Sequence, residues 1–233
     1  MAAPIGLQPT AALADRVLLP GDPARALLLA ESLLADIKMF NHHRGLWGYT
    51  GRAPDGETLT IQSTGMGGPS AAIVISELVD LGARRLLRVG TCGALRAGLG
   101  LGDLVIATEA LAADGTSRAL GTAERVMSPP RLLGALTAAT RGEAGVHAGP
   151  VVSTDLFYDD RGLEGRWSEL GALAVEMEVS TLFALARARE FDAAALLAVS
   201  DVVLPSRVRI GPDELRSAER RLGDVALRAL AKS

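Results

Sequence analysis

Short apolar runs closed by glycine, serine, threonine or an acid recur along the chain, at 16–19, 86–89, 103–107, 150–153, 172–175 and 195–199. Runs that are apolar at successive positions, rather than at every second one, are how strands covered on both faces read. Between them the period lengthens toward 3.6. The spacing predicts helices over 23–34, with a proline in the first turn, over 70–81, stopped at Gly82, and over 178–189 and 212–230. Less regular helical patterns occupy 130–140 and 163–170. An antiparallel hairpin is predicted where 46–51 answers 59–63 across Pro54-Asp55-Gly56. The segment 111–130 reads as a long irregular excursion, and no serine- or proline-rich linker divides the chain. This order predicts a single α/β domain over 1–233, with a mixed central sheet flanked by helices on both faces.

With 233 residues, 48% of them hydrophobic, one core of this size buries about three quarters of the surface its unfolded chain exposes, so no staple is needed for stability. A formal charge of −3, from 24 basic and 27 acidic residues, argues against a nucleic-acid or membrane-surface partner while allowing a local basic pocket. The single cysteine, Cys92, excludes an intramolecular disulfide and a multi-cysteine metal site. His42, His43 and His147 lack metal-ligand spacing, so no metal is expected. Residues 1–13 lack the positive start and apolar core of a signal peptide, and no apolar run approaches the roughly 18 residues of a membrane span. A soluble, cytoplasmic protein is expected.

In open α/β sheets ligands bind beyond the carboxyl ends of strands. After the first strand, Pro20-Gly21-Asp22-Pro23-Ala24-Arg25 leads straight into a helix. Gly21 lets backbone N–H groups approach an anion, and Arg25 sits in a first turn, where the helix dipole disfavours a cation unless an anion is bound. An ordinary turn with a surface arginine is the competing account. A second glycine-rich turn, Gly65-Met66-Gly67-Gly68-Pro69-Ser70, lacks both the P-loop ending and the dinucleotide fingerprint. Arg88 lies inside a strand otherwise made of Leu and Val, where a charge must be paired or bound, and Thr91 offers a hydroxyl in the turn beyond it. Cys92, with no basic neighbour in sequence, reads as a packed thiol.

Two acids bracket a methionine in Val175-Glu176-Met177-Glu178, at the end of a strand and the start of a helix. Carboxylates there can accept hydrogen bonds from a vicinal diol, although Glu178 could equally serve the helix dipole. Ser200-Asp201 ends the most apolar strand, a position suited to a proton donor or merely to capping the next turn. Phe157-Tyr158 stands after another strand in a chain with 3% aromatics, and can wall a flat base or simply pack.

Taken in order, LLPGDPARA (18–26), NHHRGLWGYTG (41–51), TGMGGPSAAI (64–73), RVGTCGAL (88–95), STDLFY (153–158), VEME (175–178), VSD (199–201) and SAERR (217–221) resemble the nucleoside phosphorylase family of hexameric bacterial purine nucleoside phosphorylases and uridine phosphorylases. The resemblance implies a partly closed sheet and phosphate-dependent cleavage of purine nucleosides, with inorganic phosphate as co-substrate and no other cofactor. It implies phosphate held by Gly21, Arg25, Arg88 and Thr91, with Arg44 reaching in across a dimer interface of a homo-hexamer built as a trimer of dimers. Ribose would lie against Met177 and the acids Glu176 and Glu178. The base would be bounded by Phe157, Tyr158, Val175 and Ser200, and Asp201, assisted by Arg220, would protonate it at N7.

Three departures stand against the family pattern. Residues 1–10 hold no histidine to reach a neighbour's ribose 5′-hydroxyl. The stretch between Asp201 and Arg220, with Pro205, Arg207 and Arg209, is longer than in purine enzymes of the group. The Gly67-Gly68-Pro69 loop keeps the family's shape but not one fixed sequence. Uridine phosphorylase is the alternative, yet the uracil-reading Gln-x-Arg is absent from Asp159-Asp160-Arg161-Gly162-Leu163. A hydrolytic nucleosidase would not need Arg25, Arg44 and Arg88 together, and a binding protein would not need Asp201.

Overall fold

Along β1 (Arg16–Leu19) the side chains of Val17 and Leu19 enter one core and that of Leu18 enters a second. The same division runs along β5 (Arg85–Ala94), where Leu86 joins the first core and Leu87 and Val89 the second. It runs again along β10 (Asp192–Val202), with Ala193, Ala195, Leu197 and Val199 on one face and Ala194, Leu196 and Ala198 on the other. Strands buried on both faces need apolar residues at every position, which is why they read as continuous runs.

The computed structural model describes residues 4–204 and 206–231, so Pro205 lies outside the described residues. The remaining strands are β2 (Ala35–Asn41), β3 (Gly48–Arg52), β4 (Thr58–Gln62), β6 (Leu104–Ala113), β7 (Arg125–Met127), β8 (Val146–Thr154), β9 (Ala174–Glu176) and β11 (Val208–Arg209). The described strands form one mixed sheet in the order β11-β10-β6-β8-β9-β5-β1-β4-β3-β2, with β7 paired to β6. Because β10 also pairs with β5, the five strands β10, β6, β8, β9 and β5 close into a barrel-like ring. The others extend from it as an open arm.

Helices α2 (Gly68–Asp80) and α6 (Val179–Arg189) cover the first core; α1 (Pro23–Leu33), α4 (Pro130–Ala139) and α7 (Pro212–Leu230) cover the second. The short α3 (Gly115–Ala119) and α5 (Glu164–Glu169) complete a single α/β domain, α5 burying Trp167 in a small third cluster. Helix α1 starts where the sequence predicts, because Pro23 is preset for the first turn and Asp22 accepts the Ala24 N–H at 2.8 Å. Asp213 and Glu214 open α7 and Arg228 lies in its last turn, each complementing the helix dipole.

Two expectations are corrected. The sequence gives no strand after α1, yet β2 pairs antiparallel with β3; its first five residues are exposed at the sheet's edge, so no buried pattern marks it. The stretch 111–130 is not irregular throughout, for it holds the end of β6, helix α3 and strand β7.

Candidate active site

A cleft of about 420 Å³ opens beyond the carboxyl ends of β1, β5 and β10. In the ladder, Gly93 at the end of β5 pairs with Asp201 of β10 and with Val175 of β9, so three strand ends meet there. Of the residues singled out in the sequence, Gly21, Arg25, Arg88, Thr91, Phe157, Val175, Glu176, Met177, Glu178, Ser200 and Asp201 line this cleft. The turns before α1 and α2 contribute Gly21, Asp22, Gly65 and Met66, which brings two helix N-termini to its wall.

Arg88 is the charged centre of the floor. Its side chain is 6% exposed; Nε donates to Glu176 Oε2 at 3.1 Å, and Nη2 pairs with Glu178 Oε2. Nη1 is buried without a hydrogen-bond partner among the described residues, a donor left for an acceptor that the chain itself does not supply. Burial alone would lower the Arg88 pKa, but Glu178 and Glu176 together raise it, so the guanidinium stays charged. Gly90 is required two residues on, because a Cβ there would fall 2.7 Å from the Arg88 guanidinium.

Glu178 precedes α6, and its Oε1 accepts the Gly67 N–H at 2.5 Å. Gly67 reaches it with φ at 83°, a conformation that glycine adopts without strain. Glu176 has partners within the protein as well as a place in the cleft lining. Its oxygens accept the N–H groups of Glu178 at 2.8 Å and Val179 at 3.0 Å, the Ser153 hydroxyl and Arg88 Nε. The carboxylate thus acts as a cap for α6 while it still lines the cleft. Burial pushes the Glu176 carboxyl upward, and Arg88 opposes it. Burial likewise raises the Cys92 thiol, so it is no thiolate nucleophile.

Asp201 emerges at a β-bulge: the register of β10 on β5 shifts between Val199 and Asp201, with Ser200 as the extra residue. Such a bulge re-aims the side chain that follows it. One carboxylate oxygen of Asp201 accepts the Ser200 hydroxyl at 2.9 Å, and the other accepts Arg209 Nε at 2.9 Å. Arg220 is not the partner of Asp201 here. It is exposed on α7, outside the cleft. Its neighbour Glu219 turns inward to accept Arg25 Nε at 2.7 Å. Sequence alone gives no role to Arg209 or Glu219, although Glu219 falls on the buried face of α7 beside Ala218 and Leu222.

Phe157 is half-exposed at the mouth. Tyr158, 88% exposed, meets it edge-on at 5.1 Å and stands outside the main cleft. Arg44 is also outside. It sits in a 3-10 turn (His43–Gly45) with φ at 55°, exposed, and donates from Nε to the Ile5 carbonyl at 3.1 Å. No cluster of three or more metal-ligating side chains occurs among the described residues, and no described helix is long and apolar enough to cross a membrane.

A family model described as the phosphorylase superfamily matches residues 15–231. The DeoD-type purine nucleoside phosphorylase of Alkaliphilus metalliredigens is 38% identical over 198 residues, covering 82% of this chain and 84% of that protein. The DeoD-type enzyme of Geobacillus kaustophilus is 35% identical over 96% of each chain. Among solved structures, uridine phosphorylase from Vibrio fischeri superposes with a TM-score of 0.85 at 28% identity, covering 95% of this chain and 93% of that one. Family model, relatives and superposition agree: the chain belongs to the phosphorylase superfamily.

Proposed function

We propose that the protein is a purine nucleoside phosphorylase, which cleaves purine ribo- and deoxyribonucleosides reversibly with inorganic phosphate to give free base and (deoxy)ribose 1-phosphate. The observation that carries this reading is the convergence in one cleft of Arg25 and the partly unsatisfied Arg88 with Glu178 and Asp201. The relatives named as purine nucleoside phosphorylases, 35–38% identical, support the same reading.

Phosphate is held by the guanidinium groups of Arg25 and Arg88, the Thr91 hydroxyl and the backbone at Gly21, where charge and forked geometry suit its oxygens. Glu178 accepts hydrogen bonds from the ribose hydroxyls, and Met177 packs on the sugar. The base lies between Phe157, Val175 and Ser200. A phosphate oxygen forms a bond to C1′ as the C1′–N9 bond breaks, and that electron pair passes to the base. Asp201 delivers its proton to N7, so a neutral purine leaves; such general-acid help is worth about 10²- to 10⁴-fold.

Arg44 completes the phosphate site of a second copy in a homo-hexamer built as a trimer of dimers. Exposed Ile37, Met39, Trp47 and Met66, on β2 and in the turns near Arg44 and α2, support an interface on this side. The reading sets the reaction in the cytoplasm and needs neither metal nor organic cofactor. Activity that survives dialysis against a chelator is the expected result.

The likeness to a uridine phosphorylase keeps uridine as the second reading, but a strand-end acid suited to N7 favours purines. Inosine, guanosine, adenosine and uridine, each with and without phosphate, form the test. Phosphate-dependent release of purine bases is expected. Release that ignores phosphate indicates a nucleosidase, and release from uridine alone overturns the purine assignment.

A further inference from the structure

The segment after Asp201 delivers two guanidinium groups that the reaction scheme above does not use. Asp201 faces Arg209 in the antiparallel ladder of β10 and β11, and Val202 faces Val208. Arg209 Nε donates to Asp201 Oδ1 at 2.9 Å, while its guanidinium carbon lies 5.8 Å from the centroid of the Phe157 ring. Arg207 approaches the same ring at 5.7 Å. Both distances fall within the range of cation–π attraction.

We propose that Arg209 is the positioning residue for the Asp201 carboxyl, the role that the sequence resemblance gave to Arg220. This inference rests on the reading of Asp201 as the acid for N7. A guanidinium is all donor and no acceptor, so Oδ1, once bonded to Arg209, is a poor seat for a proton. The proton is directed to Oδ2, whose partner is the Ser200 hydroxyl, a group that can accept as well as donate. Ladder pairing fixes the backbone of Arg209 against that of Asp201, and the contact with Phe157 ties the same guanidinium to the wall of the base site. Arg209 thereby sets the carboxyl plane relative to the base.

The pair is a poor candidate for a purely structural role. The Arg209 side chain is 63% exposed, and an ion pair with so exposed a partner contributes about 0–1 kcal/mol to stability. Its consequence should therefore be found in turnover rather than in folding. Arg220, exposed on α7 next to a glutamate already bonded to Arg25, has no comparable hold on Asp201.

The test measures kcat and KM of the wild-type protein and the Arg209→Gln, Arg209→Lys and Arg220→Gln variants, with inosine and with 7-methylguanosine, at varied phosphate. The base of 7-methylguanosine is already cationic at N7 and leaves without a proton. Arg209→Gln is expected to lower kcat on inosine by about tenfold and to leave kcat on 7-methylguanosine within about twofold, since only the placement of the acid is lost. The KM for phosphate should stay unchanged, and Arg209→Lys should recover part of the inosine rate. Equal losses on both substrates, no loss on inosine, or an inosine-selective loss confined to Arg220→Gln would each overturn the inference while leaving the purine reading intact. A wild-type protein that releases no base from either nucleoside in the presence of phosphate overturns the functional reading itself, and this inference with it.

Discussion

Glu219, in the last helix, accepts a 2.7 Å hydrogen bond from Nε of Arg25, at the start of the first helix, 194 positions away. Their side chains are 9% and 8% exposed. The bond commits Nε and leaves the two terminal nitrogens of the guanidinium for an anion.

Glu219 should therefore govern phosphate affinity without touching phosphate. Glu219→Gln keeps an acceptor but loses the charge; phosphate KM should rise about tenfold, the scale of one charge-assisted hydrogen bond, with kcat little changed. Glu219→Ala leaves the guanidinium buried and unpaired, at a cost of about 3–5 kcal/mol. Added phosphate should restore part of that stability by binding the folded state. Initial rates against phosphate, and urea unfolding with and without it, check both. A Glu219→Ala protein with wild-type stability and phosphate KM would falsify the link.

Arg88 offers a second prediction, because it serves fold and site together. In Arg88→Ala, Glu176 and Glu178 lose the cation between them, and stability should drop by about 3–5 kcal/mol. Loss of activity there would not separate the two roles. Arg88→Lys retains the charge without the fork, so the protein should fold while kcat/KM for phosphate falls by about ten- to hundredfold. Circular dichroism and phosphate titration decide it; a normal phosphate dependence in Arg88→Lys would make Arg88 structural only.

The elements legible in the sequence are those whose burial is uniform. β1 is predicted to the residue and α7 likewise, the first from its unbroken buried run and the second from proline at its start and a strong amphipathic period. β2 is not legible, because an edge strand with only Phe40 and Asn41 buried carries no periodic signal. Within the cleft, Arg88 stood out since a charge amid Leu and Val demands a partner. The hydrogen bonds that Glu176 accepts from Val179, Glu178, Ser153 and Arg88 are not legible in the sequence, because they form only once the strand and helix are joined. Arg209 was beyond reach for a related reason: its meaning comes from a two-residue strand folding back on Asp201, which no local pattern announces.

Away from the cleft, the hairpin turn holds a pH-dependent contribution to stability. Asp55 forms a two-pronged pair with buried Arg16, at 2.6 and 2.7 Å. The Arg16 hydrogen bond holds the Asp55 carboxyl below its ordinary value of 3.8, against a smaller opposing effect of burial. A depressed folded pKa stabilises the protein above the unfolded value, and that contribution fades as pH falls through the folded one. Asp55→Asn should cost about 1–3 kcal/mol at pH 7. The gap to wild type should narrow as pH drops below 3.8. Urea midpoints across that range measure it, and a gap independent of pH would show that the pair carries no linkage.

Asp201→Asn isolates the proton from the architecture around it. The amide oxygen can still accept from Arg209, and the amide nitrogen can donate to the Ser200 hydroxyl, which accepts as readily as it donates. The bulge, the β10–β11 ladder and the floor around Arg88 keep their contacts, so the phosphate site and the fold should be preserved. What disappears is the acid. Purine nucleoside turnover should fall by about 10²- to 10⁴-fold, with the KM for phosphate close to that of the wild type. The loss should be largest where the leaving base most needs a proton, on inosine rather than on 7-methylguanosine. Single-turnover base release, followed by absorbance at saturating phosphate, separates this step from product release. Unchanged turnover on inosine would remove Asp201 from the reaction, and a loss accompanied by a much higher phosphate KM would mean that the substitution had disturbed the anion site instead.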